Sequence, residues 1–402
     1  MVLKRKELLI AVLVLTALSL VVFRSVIFSP ATLMTTDDNL GTIVQIKQIL
    51  PYAFTDSWVD NGLLGQHGQI NVGWTGALLY LLSPEMFTNW SHLLALLCGS
   101  FVLFLFLTRR LGLHWIAGLL GAITAYWLGS NLTLVFAGHI MKYGVICLAA
   151  MVLFLLPLAV GSFRWAILCG GLLGGMFLEQ QDSALFFGIF WGAYAGFLLF
   201  RRKQSLVASG AKLIVMLFVA LLVSLPSLLS SFDQNVTGVA SVQESNQQKW
   251  EFCTQWSWPP EESIDFIAPG YTGWRSGEPD GPYWGRMGRS DGWEATRQGF
   301  MNFKLENTYL GIIPVALALF ACASAFVRKV NRAEIIFWSA AVLLTLLLSF
   351  GKYFPLYSVF WHLPVVNSIR NPNKFLQVFQ MCLGILSAYG FDALLRGEES
   401  EK

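Results

Sequence analysis

Residues 165–200 read WAILCGGLLGGMFLEQQDSALFFGIFWGAYAGFLLF, and the reading of this stretch decides the fold. Glu179-Gln180-Gln181-Asp182 divides it into two apolar runs, at 165–178 and 184–200. The first is only about 14 residues, short for a bilayer-crossing helix, and the second is of normal length, so the tight turn of four polar residues between them should sit below the outer surface. The same pattern recurs along the chain. Apolar runs lie at about 8–28, 90–108, 113–129, 143–160, 165–178, 184–200, 211–230, 308–327, 334–350 and 373–391. The expectation is an all-α polytopic membrane protein with about ten transmembrane helices in a single membrane domain, 1–402.

Composition supports this reading over two or three soluble domains. Hydrophobic residues are 55% of the 402 and charged ones 13%, about half the charged share of a soluble globular chain. Mean hydropathy is +0.59. The net charge of +3 is small and dispersed, and no basic cluster is interleaved with stacking aromatics, so nucleic acid is not an expected partner. Five cysteines lie in apolar runs and Cys253 alone in a polar segment, which predicts neither a structural disulfide nor a zinc site. The run after Lys4-Arg5-Lys6 is longer than a signal-peptide core and meets Arg24 and Pro30, so it reads as an uncleaved first helix.

Charge distribution orients the spans. With both termini cytoplasmic, the inside segments hold Lys4, Arg5, Lys6, Arg109, Arg110, Arg164, Arg201, Arg202, Lys203, Lys212, Arg328, Lys329, Arg332 and Arg396. Two extracytoplasmic segments are too long to be connectors, about 29–89 and 231–306. Within the first, Ile70 to Leu82 is short for a span and suits a helix lying in the interface. The second carries 11 acids against 6 bases and is rich in Trp and Gly. It shows no clear period and reads as an irregular loop domain on the membrane surface.

Polar residues at the outer helix ends are the candidate site. Asp37-Asp38 can supply a general base or oxygen ligands for a divalent cation such as Mg or Mn; the bland alternative is a solvated helix start. Adjacent residues on an extended or helical backbone point apart, so one aspartate should face the site and the other support it. His139 and Lys142 stand at the mouth of the fourth helix, and Arg370 and Lys374 at the start of the tenth. Each could meet a donor phosphate or simply sit at the headgroups. Glu179 and Asp182 are acceptor or metal candidates if they face a watery cavity. Arg286, in Tyr283-Trp284-Gly285-Arg286, could belong to an aromatic-plus-arginine sugar platform or to an interfacial belt.

Several of these pieces together resemble one family. They are Asp37-Asp38-Asn39, Ala137-Gly138-His139 with Lys142, Glu179-Gln180-Gln181-Asp182, Thr308-Tyr309-Leu310-Gly311, Arg370-Asn371-Pro372-Asn373-Lys374-Phe375 and Ala388-Tyr389-Gly390-Phe391-Asp392. Their order, with a large late outer loop, resembles the GT-C glycosyltransferases and, more narrowly, the YfhO-like membrane proteins. The resemblance implies a GT-C-like fold in the plasma (inner) membrane. It also implies transfer of a sugar from a polyprenyl-phosphate donor to an extracytoplasmic acceptor: an envelope polymer, a glycolipid or a protein. Asp37 or Asp38 would be the catalytic base, and a single displacement would invert the anomeric centre. Members of the family run longer, so a short or truncated member is expected. The competing readings are a transporter or flippase of a lipid-linked solute, which would have short loops and paired broken helices, and a non-catalytic scaffold for envelope assembly.

Overall fold

A computed structural model describes residues 3–54, 58–59, 66–67, 73–135, 138–202, 206–232, 245–273, 282–299, 301–304, 307–327, 331–363 and 366–400. The described residues are mainly helical, with a two-residue antiparallel pair joining Trp58–Val59 to Gln66–His67. Two compact units divide it: Met1–Gly112 with Gly138–Val242, and Leu113–Ala137 with Gln243–Lys402.

In the first unit, Phe163–Glu179 packs against Ile140–Ala159 and against Leu206–Phe232. Gly170 and Gly174 explain the second contact. A Cβ at Gly170 would stand 2.4 Å from the Met216 carbonyl oxygen, and one at Gly174 would stand 2.6 Å from Val223 Cβ. Small residues four apart let two backbones approach, the usual device of helix pairs in a bilayer. Pro84–Leu105 packs on Ile140–Ala159 and on Arg5–Val22, and one π turn, Phe106–Arg110, extends it. Two charged side chains grip the short Trp74–Leu81 helix. The Glu179 carboxylate accepts from Thr75 N (3.0 Å) and Thr75 Oγ1 at its start. Lys47 Nζ donates to the carbonyls of Leu79, Tyr80 and Leu82 at its end. Anion at the N-terminus and cation at the C-terminus both match the helix dipole.

In the second unit, Phe375–Ser400 is central, and Trp115–Tyr126, Ile312–Val327 and Arg332–Ser349 pack on it. A Cβ at Gly390 would lie 1.9 Å from the Leu317 carbonyl oxygen, so only glycine fits that crossing. The chain breaks between Trp115–Tyr126 and Gly129–Thr133, and the buried Gln380 amide closes the gap. It donates to the carbonyls of Thr124 and Leu128 and accepts from Asn131 N. At the other end, Asp392 accepts from His114 N at 2.7 Å and from Arg396 Nε at 2.6 Å.

Every one of the ten apolar runs contains helix, but the runs are not equivalent as spans. Among the described residues six helices are long and apolar enough to cross a membrane: Pro84–Arg110, Ile140–Ala159, Gln181–Arg201, Val207–Leu229, Arg332–Ser349 and Pro372–Gly397. Trp115–Tyr126 and Ile312–Val327 are apolar but shorter. The latter starts four residues after the sequence-based boundary because Leu310 N and Gly311 N both donate to Phe266 O, and Gly311 has φ +91°. The first run breaks at Phe23 into Arg5–Val22 and Arg24–Ile27.

The late loop is more ordered than its composition suggested. Asn246–Thr254 is a helix opened by a capping box of Ser245 and Gln248, and Pro260–Phe266 is a 3-10 turn. The expected interfacial stretch from Ile70 is helical over Trp74–Leu81, and its residues 70–72 lie outside the described ones. Trp274, Lys203, Arg328 and Lys329 also lie outside them.

Candidate functional site

Asp37, Asp38 and His139 come together in the first unit. Residues 36–38 form a bend fixed by Thr35 Oγ1, which donates to Asp38 O at 2.8 Å. That bend lies directly on Gly138, whose φ is +81°. A Cβ there would stand 2.7 Å from Thr35 Cβ and 2.9 Å from Asp38 O. Glycine is therefore required twice at 138, for the backbone angle and for the contact. The next residue, His139, precedes the Ile140–Ala159 helix and sits between the two carboxylates. Nε2 is 3.2 Å from Asp37 Oδ2, and Nδ1 is 3.6 Å from Asp38 Oδ2.

This corrects the expectation that the two aspartates diverge. Alternation holds for extended or helical backbone, and a bend lets both side chains reach the two nitrogens of one ring. The Asp37 contact is within hydrogen-bond range and the Asp38 contact is an ion-pair distance. The three side chains are 49%, 39% and 23% exposed, so they are open to solvent and to a ligand. The helix start at His139 adds a partial positive charge that favours both carboxylates.

Beneath lies His92, fully buried in Pro84–Leu105. Its Nδ1 is 3.2 Å from Thr88 O, which can only accept, so that nitrogen carries the proton. The ring meets Tyr143 edge-on at 4.9 Å and feels the charges of Asp38 and His139. Sequence reasoning passed over His92 as a lone polar residue in an apolar run.

The remaining first-unit candidates take other places. Lys142 is one turn into the helix that His139 opens. Glu179 is buried against Gly73 and Gly144, a Cβ at either coming within 3 Å of its carboxyl, and it is committed to Thr75. Asp182 Oδ1 accepts from Ser183 N at 2.6 Å at the start of Gln181–Arg202, while Gln181 Nε2 reaches Ser227. The Glu179–Asp182 turn is thus a helix fastener. Among the described residues no group of three or more His, Cys, Asp or Glu is arranged to hold a metal ion.

Arg370, Lys374 and Arg286 belong to the second unit. Arg370 is exposed, with its guanidinium 4.1 Å over the Phe252 ring. Two backbone bonds lash its segment down, Asn371 N to Cys253 O and Asn373 N to Trp256 O. Lys374 ends the Pro372–Lys374 turn that leads into Phe375–Ser400. Arg286 forks onto both oxygens of Glu261, and its guanidinium lies 4.1 Å over the Tyr353 ring.

Two polar nuclei that no sequence motif announces hold the loop. In one, Asp265 accepts from Lys304 Nζ at 2.6 Å, from Thr272 N at 3.0 Å and from Thr272 Oγ1. Both charged side chains are 1% exposed, and the ammonium lies 5.3 Å from the Trp258 ring and 5.4 Å from Tyr283. In the other, Glu262 accepts from Tyr283 OH at 2.7 and 2.9 Å and from Arg286 N at 2.8 Å. Burial pushes the Glu262 carboxyl up from the usual carboxylate value, while the neighbouring Glu261 is held below it by Arg286. Burial, then the facing Glu262, raise the Tyr283 phenol. Only long-range spacing links Asp265 to Lys304, so no local motif announces them.

The fold defines a helical membrane protein. Compared with protein-family models, curated proteins and solved structures, the chain matches none.

Proposed function

We infer that this protein is a membrane glycosyltransferase of the GT-C type, resembling the YfhO-like proteins, that moves a sugar from a polyprenyl-phosphate donor to an extracytoplasmic acceptor. The observation that carries this reading is the His139 imidazole held between the Asp37 and Asp38 carboxylates at a helix start. Half-exposed carboxylates on a rigid bend suit a general base. As the acceptor oxygen bonds to the anomeric carbon, its proton passes to an aspartate carboxylate, and the bond from that carbon to the phosphate oxygen breaks. Polyprenyl phosphate leaves as a stable anion, so no strong acid is needed. The imidazole orients the carboxylates and can take up the proton for release to water. His139, expected at the donor phosphate, is thereby reassigned to the base.

Lys142 is assigned to the donor phosphate within the first unit. Arg370 and Lys374 are assigned to an anion in the second, because both are cations at the start of its central helix. In this reading all ten helical runs cross or enter the plasma membrane, with both termini cytoplasmic.

The test is transfer of labelled sugar from a polyprenyl-phosphate donor in liposomes, with donor affinity measured separately. Asp37→Asn and Asp38→Asn together should lower turnover by roughly 10²-fold or more and leave donor binding intact. Transfer at the parent rate by the double variant would remove the base assignment.

A further inference from the structure

The sharpest unassigned surface of the second unit is built by the Glu262 network. Glu262 gathers Tyr283 OH and the Arg286 amide around one buried carboxylate, so residues 283–286 wrap it as a tight turn. A Cβ at Gly285 would fall 2.5 Å from Glu262 Oε1 and 2.3 Å from the Tyr283 ring, so the turn tolerates only glycine there. With Tyr283 drawn inward, Trp284 is turned outward and is 63% exposed.

A second exposed aromatic belongs to the backbone run that crosses it. Trp284 N donates to Thr272 O at 3.0 Å, and Gly273, with φ +98°, lies directly on the Pro282 and Tyr283 backbone. The two backbone runs touch, and Tyr271, also 63% exposed, immediately precedes the Thr272 to which Trp284 bonds. The rim is charged: Arg286 is forked onto Glu261 over Tyr353, and Lys352 Nζ is 2.5 Å from Asp291 Oδ1.

We propose that Tyr271, Trp284, Arg286 and Glu261 form a docking site for a glycan, whose sugar rings stack on the two aromatic faces and whose hydroxyls pair with the Arg286–Glu261 fork. Sugars present an apolar C–H face and a hydroxylated edge, and the site offers an aromatic face beside planar charged groups. Insertion of the two rings into lipid fits less well. It would carry Glu261 and Asp291, 56% and 72% exposed, toward a medium where their charges lose hydration. The role of this glycan as the acceptor rests on the transferase reading; the binding itself does not.

The experiment uses the full chain in nanodiscs, without donor, against an array of neutral and acidic oligosaccharides of about four rings. At least one series should bind, W284A and E261Q should each weaken it tenfold or more, and F200A, an exposed aromatic of the first unit, should leave it unchanged. Melting temperatures equal to the parent's show that the variants fold. Absence of binding by any series, or W284A binding as the parent does, overturns the proposal. Strong quenching by spin-labelled lipids of a fluorophore at position 284, in a background without the native cysteines, makes the residue a bilayer anchor and overturns it too. Glycan binding without sugar transfer would leave this site standing and remove the transferase reading. Transfer without glycan binding would do the reverse.

Discussion

Removing the Lys304 ammonium is the most discriminating perturbation of the loop fold. Lys304→Met keeps the length of the side chain and its packing beside Trp258 and Tyr283, but leaves Asp265 with only the two donors of Thr272. Both partners are almost completely buried, so water cannot replace the lost ammonium. Breaking a buried pair from one side costs about 3–5 kcal/mol, because the remaining charge is uncompensated. At about 1.4 kcal/mol per tenfold, opening of the loop becomes more frequent by roughly 10²- to 4 × 10³-fold. Hydrogen exchange reads this directly at the Thr272, Trp284 and Phe303 amides, which bond to Asp265, Thr272 O and Met287 O. The amides of Phe163–Glu179, in the other unit, are the internal reference. Adding Asp265→Asn to Lys304→Met should recover most of the protection. The neutral amide still accepts from Thr272 N, and removing both charges of a buried pair is close to neutral. Exchange in the single variant within twofold of the parent would refute the claim that this ion pair holds the loop together.

Three further outcomes follow from the same structure. Burial raises the Glu262 carboxyl, so its stabilising contribution is complete below about pH 4.5 and is lost as pH rises through the raised value; Glu261, lowered by Arg286, contributes above about pH 4.5 and loses its share as pH falls through its lowered value. Glu262→Gln should therefore flatten the alkaline-side decline of the melting temperature, read by tryptophan fluorescence in detergent, and an unchanged profile would be the contrary result. Gly174→Leu forces a side chain against Val223 and Ala220 O and should cost about 1–3 kcal/mol or more, seen as earlier unfolding in a denaturing-detergent titration. A membrane-impermeant thiol reagent added outside should label a cysteine placed at Glu294 and miss one at Arg202; the reverse pattern would invert the orientation.

Helix positions were legible because a long apolar run has few alternatives in lipid, where every backbone group must be satisfied within the segment. Boundaries were less legible wherever a distant partner set them. Phe266 O captures the amides of Leu310 and Gly311 and delays a helix, and Gln380 closes a break that nothing near residue 127 encodes. Asp37, Asp38 and His139 stood out individually, but their meeting depends on Gly138 lying against Thr35, a contact across about a hundred residues. The partner of Glu179 was hidden for the same reason: nothing near it in the sequence announces Thr75, whose amide and hydroxyl its carboxylate accepts.

That last case separates fastening charges from reactive ones. Glu179 holds Thr75, Glu262 holds Tyr283 and the Arg286 amide, Asp265 holds Lys304 and Thr272, and Asp392 holds His114 N and Arg396. Each is buried, and each gives up much of its hydrogen-bonding capacity to a neighbour whose loss would strand it. The oxygens of such a carboxylate are already occupied by the neighbours that fix it, which leaves them little room to meet a substrate hydroxyl. Asp37 and Asp38 differ on both counts. Their side chains are about half exposed, and both look onto a single imidazole that can itself gain or lose a proton. Protonating one leaves the other to hold the ring, so the bend survives a proton transfer. By this reasoning the buried carboxylates of Glu179, Glu262, Asp265 and Asp392 serve architecture, and the chemistry we propose belongs where the Thr35–Asp38 bend meets Gly138.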